Sequence, residues 1–194
     1  MSSTIHVIDL TDYKKIVGLR PFVALPQEEI DRLYASIEIH TVNKEKAEAD
    51  FQKIPLSLFT VIHFNYSWFT CRYTRDNRDD LRSLGFTDLV LPGNFNGLFL
   101  DETLSNEANR ILQNKITIQS GYTLRLSGLL FNETDLPPGP QLAILYVARL
   151  RQTNSIVAGS RIHDMIYYNN GELQQHRDLF DPWSKIIIDH LVAL

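Results

Sequence analysis

The 194-residue chain is 44% hydrophobic and 22% charged, with a formal net charge of −4 and a pI of about 5.8. A length of this order predicts one domain that can bury a core without covalent staples, and the single cysteine, Cys71, excludes an intrachain disulfide and fits a reducing compartment. The acidic balance speaks against nucleic-acid binding. No run approaches the roughly 18–20 apolar residues of a membrane span. Residues 1–6 lack the basic-then-apolar pattern of a signal peptide, so the expected location is the cytoplasm.

In chain order, Ile5–Leu10 alternates apolar and polar residues and predicts a short strand. Pro26 opens a predicted helix with Glu28 and Glu29 in its first turn, where the dipole favours them, and Ile30, Leu33, Tyr34 and Ile37 on one face. The polar stretch 43–50 reads as a link to the body of the domain. Pro55–Phe64 and Ser67–Tyr73 are β-branched and aromatic, with a break at Asn65-Tyr66 that predicts a hairpin. A charged loop follows over Arg75–Arg82, then a short strand at Leu89–Leu91 and a Gly/Asn turn at Pro92–Gly97.

Thr103–Asn114 predicts a helix that places Leu104, Ala108, Ile111 and Leu112 on one side. Strands are expected at Thr123–Phe131 and Leu142–Leu150, around the proline-rich loop Asn132–Pro140. Another strand is expected at Arg161–Tyr168, closed by a turn at Asn169-Asn170-Gly171. The last element is a helix with Asp181 as N-cap, Pro182 at its first position, and Trp183, Ile187 and Leu191 on one face. Residues 1–50 thus read as a strand-and-helix extension packed on a main unit over 51–194, the whole forming one compact body.

Four stretches carry a resemblance to the Nudix (MutT-like) superfamily, and within it to a bacterial phosphoesterase branch. They are Phe59–Arg75, Pro92–Gly97, the run from Leu126 through Glu133 to the strand ending near Arg149, and the closing Asp181–Lys185. The resemblance implies an α/β (α+β) fold, a mixed sheet sandwiched between helices. It also implies a helix whose glutamates hold Mg²⁺ ions that neutralise a diphosphate while water attacks. Laid on that signature, Glu102 takes the first glutamate position and Arg110 the arginine, with Leu112 and Ile118 in the aliphatic positions. The three helix glutamates are replaced by Ile111, Asn114 and Lys115, and the late glycine by Thr117. Isoleucine cannot ligate a cation, and a lysine about 4 Å from one costs on the order of several kcal/mol at intermediate dielectric.

The expectation is therefore a catalytically inactive Nudix-like module without a metal or other cofactor. It would bind a nucleotide-like or phosphorylated ligand, a protein partner, or both. Candidate ligand contacts are Arg75, Arg82, Glu102, Arg110, Lys115, Glu133 and Asp135. Each also has a structural reading. Glu102 and Arg110 read as an ion pair, Lys115 as a solvated lysine at a helix C-terminus, and Arg75 and Arg82 as part of a mixed-charge loop with Asp76, Asp79 and Asp80. Glu133 and Asp135 sit on a stiff loop that suits a partner surface equally well. Two alternatives remain: a metal-dependent hydrolase that recruits Glu102, Glu107, Glu133 and Asp135, and a purely structural adaptor. The six histidines lack metal-ligand spacing, and Cys71 lies in an apolar strand with no catalytic signature near it.

Overall fold

The computed structural model describes residues 4–18, 20–24, 28, 38–50, 52–73, 81–90, 100–133, 140–152 and 156–191. In chain order they form β1 (Thr4–Asp9), α1 (Leu10–Val17), β2 (Phe22–Ala24), β3 (His40–Asn43), α2 (Lys44–Glu48), β4 (Lys53–Phe64) and β5 (Ser67–Tyr73). Then come β6 (Arg82–Ser83), β7 (Gly85–Leu89), α3 (Leu100–Lys115), β8 (Ile116–Ile118), β9 (Tyr122–Asn132) and β10 (Gln141–Leu150). The chain continues through β11 (Ile156–Ala158), β12 (Ile162–Asn169), α4 (Asn170–Gln175), a 3-10 turn at Arg177–Leu179, and α5 (Pro182–Asp189).

The main sheet runs β12-β5-β4-β10-β9-β2, with β1 and β7 also on β4 and β6 on β5. Its centre is the parallel pair β4–β10, while β10–β9 and β4–β5 are antiparallel, so the sheet is mixed. A strand alternates its side chains between faces, and the two central strands use both. Ile54, Leu56, Leu58 and Ile62 of β4, with Leu142, Ile144 and Tyr146 of β10, enter one apolar cluster with Tyr13 of α1 and Leu104 and Ile111 of α3. Phe59 and Val61, with Ala143, Leu145 and Val147, enter the second with Phe180, Ile187 and Ile188. The expected sheet between helices is what these residues build. β1 pairs with β4 and β2 with β9, so the N-terminal segment adds strands to this sheet.

Several expectations shift at their edges. The stretch 43–50 is not a plain link: it carries the end of β3 and all of α2, because the Asn43 side chain accepts hydrogen bonds from the backbone N–H groups of Glu45 (2.9 Å) and Lys46 (3.4 Å) and caps the helix. The strand expected at Leu89–Leu91 lies earlier, as β7. Asn169-Asn170-Gly171 opens α4 where a turn was expected, through a reciprocal capping box between Asn169 and Glu172. The helix expected to start at Pro26 falls almost wholly outside the described residues, as do the Gly/Asn turn and most of the proline-rich loop. The β4–β5 hairpin is present, with Asn65 at φ +53° in its turn.

Among the described residues no helix is long and apolar enough to cross a membrane. Cys71 is fully buried in β5, and burial pushes its thiol up to about 12. At pH 8 only about one part in ten thousand would be thiolate, the reactive form. A thiol reagent should therefore label the native protein far more slowly than the urea-unfolded chain; equal rates would show that β5 opens.

Candidate functional site

Helix α3 is held by one face. Leu104, Ala108, Ile111 and Leu112 are all 0% exposed, at the spacing that lines up one side of an α-helix. Glu107, on the same side, is buried as well. Its Oε2 accepts from Arg110 Nε and pairs with Nη2, each at 2.8 Å. Arg110 thus has Glu107, one turn back, as the partner the structure displays; the Glu102 side chain lies outside the described residues. Arg110 borders a hollow with Asn106, Asn109 and Tyr122 that shares no lining residue with the cleft described next.

At the C-terminal end of α3 a cleft of about 800 Å³ opens. Its lining includes Asn114 and Lys115 with Gly159, Ser160 and Arg161. It also includes the start of α5, with Asp181, Pro182 and Trp183, and Phe59. The rings of Phe59 and Trp183 lie 6.3 Å apart. Asn132 and Gln141, an opposed pair at the ends of β9 and β10, border the cleft too. The cleft beside Lys115 is therefore open rather than plugged by side chains. Trp183 is only partly buried and borders this space, so its expected role as a core anchor of the last helix passes to Ile187 and Ile188.

Asp181 does two jobs here. Its Oδ1 accepts from the Ser184 backbone N–H (2.9 Å) and its Oδ2 from Ser184 Oγ (3.0 Å), which caps α5 as expected. Its carboxyl is enclosed, and this burial raises its pKa against the opposing pull of hydrogen bonds from Ser184 and Ser83.

Arg82, expected in a solvated loop, is 2% exposed. Its guanidinium donates to Thr70 Oγ1 (3.0 Å) and to the Asp164 carbonyl oxygen (2.7 Å), and forms an ion pair with the Asp164 carboxylate. Arg72 joins the same carboxylate at 3.2 Å. Asp164 sits at φ +50° where the β12–β5 register shifts. The loop aspartates seemed to balance Arg82 in the sequence, but its partner lies 82 residues away. Leu81 and Ser83 reach the cleft; Arg82 turns inward between them. Glu133 is exposed beside Asn132, and Arg75 and Asp135 lie outside the described residues. Of the candidate contacts among the described residues, Lys115 is the one that lines the cleft. Arg161, Asp181 and Trp183 had not been singled out as cleft residues, because a strand start, an N-cap and a helix face account for them locally.

No family profile matches the sequence, and no curated protein matches it. Solved structures do. Tm1382, a candidate Nudix hydrolase, aligns with a TM-score of 0.78 over 97% of this chain and 98% of its own, at 18% identity. The chain has the Nudix fold. A bifunctional NMN adenylyltransferase/ADP ribose pyrophosphatase from Francisella tularensis, complexed with AMP and a Mn ion, aligns at TM-score 0.53 and 13% identity over 72% of this chain and 41% of its own. The Nudix domain of Shewanella oneidensis NrtR, complexed with ADP ribose, aligns at 0.50 and 12% identity over 79% of this chain and all of its own.

Of the three helix positions to which the sequence resemblance assigns glutamates, Ile111 is sealed in the core, and Asn114 and Lys115, a neutral amide and a cation, line the cleft. Among the described residues no group of three or more His, Cys, Asp or Glu is placed to hold a metal ion. Glu107, which a non-standard site would recruit, is buried under Arg110. The described residues at these positions do not fit a Nudix Mg²⁺ cluster.

Proposed function

We propose that this chain is a metal-independent binding module for a phosphorylated, nucleotide-like ligand, without Nudix-type hydrolysis. The observation that carries this reading is the open cleft beside Lys115, a lysine at a position to which the Nudix resemblance assigns a metal-binding glutamate. The ligands in the Francisella and Shewanella structures, AMP and ADP ribose, support the ligand class. A plugged cleft would have favoured a structural adaptor; the space found favours a ligand, whose binding would be the regulatory input to any protein partner.

In the bound state Lys115 offsets part of the phosphate charge that metal ions carry in a working site. Binding is then insensitive to EDTA and weakened by salt. Calorimetric titration in EDTA should detect ADP or ADP-ribose, and Lys115→Glu should weaken binding by more than about tenfold, since a factor of ten needs only about 1.4 kcal/mol. With Mg²⁺ or Mn²⁺ added, the protein should turn over neither compound. Multiple turnovers abolished by EDTA would replace this reading with that of a hydrolase using other carboxylates.

A further inference from the structure

We infer that Arg161 is the second half of an anion clamp with Lys115, and that the clamp selects a nucleoside diphosphate over a monophosphate; this rests on the ligand-binding reading above. The backbone brings the two cations together. β8 and β11 pair with Ala158 opposite Ile116. One rung further, the Gly159 N–H donates to the Lys115 carbonyl oxygen at 3.0 Å, and the Ile162 N–H returns to the Gly159 carbonyl oxygen at 3.0 Å. Residues 159–162 therefore fold as a turn over the end of α3 and present Arg161, exposed, to the cleft that Lys115 borders. Gly159 is required for this approach: a Cβ there would lie 2.4 Å from the Lys115 carbonyl oxygen.

Charge then orients the ligand. Neither Lys115 nor Arg161 takes part in an ion pair among the described residues, so both are available to an anion. The same cleft is lined by Asp181 with Phe59 and Trp183, and the two aromatic rings offer a face to a planar base. Two cations on separate elements, one a compact ammonium and the other a planar fork, give each phosphate of a diphosphate its own partner. A monophosphate is served by one.

The test is calorimetric titration in EDTA of wild type, Arg161→Gln and Gly159→Ala with ADP, AMP and inorganic pyrophosphate, with thermal unfolding of each variant. Arg161→Gln alters an exposed side chain and should leave the melting transition unchanged. It should weaken ADP and pyrophosphate about tenfold and AMP less than about threefold. Gly159→Ala should weaken ADP binding by displacing the turn. Wild-type binding of ADP that Arg161→Gln leaves unchanged overturns the clamp while the ligand-binding reading stands. An equal loss for ADP and AMP overturns diphosphate selection. Failure of wild type to bind any of the three overturns both.

Discussion

A chain ending before Asp181 is expected to lose its cooperative fold and to be recovered insoluble or molten. Helix α5 closes the second apolar cluster with Ile187 and Ile188, both 0% exposed, and with Leu191. Removing one buried isoleucine down to alanine typically costs about 2–5 kcal/mol, and two such residues approach the whole stability of an ordinary domain, about 5–15 kcal/mol. Polar ties across the fold are lost with it. The Leu84 N–H donates to Ser184 Oγ at 2.8 Å, 100 residues apart in sequence, and the Asp181 N–H to the Arg82 carbonyl oxygen at 3.0 Å. Truncation strands those groups without partners. Loss of near-UV circular dichroism with retained far-UV signal and dye binding would be the signature. Ile187→Ala in the full chain should lower stability by about 2–5 kcal/mol in urea unfolding, whereas Trp183→Ala, at the cleft wall, should cost less. A truncated chain with an unchanged transition would show the helix to be peripheral.

The second large effect is expected at Asp164. Its carboxylate is the counter-charge of the buried Arg82 guanidinium. Stripping the partner from a buried ion typically costs about 3–5 kcal/mol. Asp164→Ala should lie near 3, because the aspartate side chain is itself 39% exposed and Arg82 keeps Thr70 and a backbone carbonyl. Asp164→Asn tolerates the same left-handed backbone and can still accept a hydrogen bond, so it should recover part of the loss. If both variants unfold at the wild-type urea midpoint, the network contributes nothing to stability.

The fold could be read wherever periodicity acts alone. Leu104, Ala108, Ile111 and Leu112 define the buried side of α3 in sequence and in space, and Asp181-Pro182 marks the start of α5 in both. The missing carboxylate at position 111 was legible for the same reason, since an isoleucine at a core spacing cannot be a ligand. What sequence could not supply was long-range pairing. Arg82 stands among aspartates at positions 76, 79 and 80, and nothing local indicates that its partner is Asp164, across the β5–β12 edge. Arg161 looked like the first residue of a strand. Only the contact between Gly159 and the end of α3 turns it toward Lys115. Trp183 has helix-face spacing, but helix spacing does not say whether the neighbouring layer is packed or open.

The kink that houses Asp164 also bears on how this molecule behaves in a crowd. β12 ends the order of the main sheet, and beyond it among the described residues no further strand is paired. Such a rim can template a strand from another molecule, and here it also exposes Met165 and Ile166 at 40% and 38%. The register break between His163 and Ile166 interrupts the ladder where an incoming strand would have to zip. The buried cation that holds Asp164 in its left-handed turn therefore guards the rim as well as the interior. Loosening it would expose a straight, sticky border, so a variant weakened at Arg82 or Asp164 should clump at concentrations where an equally destabilised core variant stays dispersed, a difference that light scattering would register.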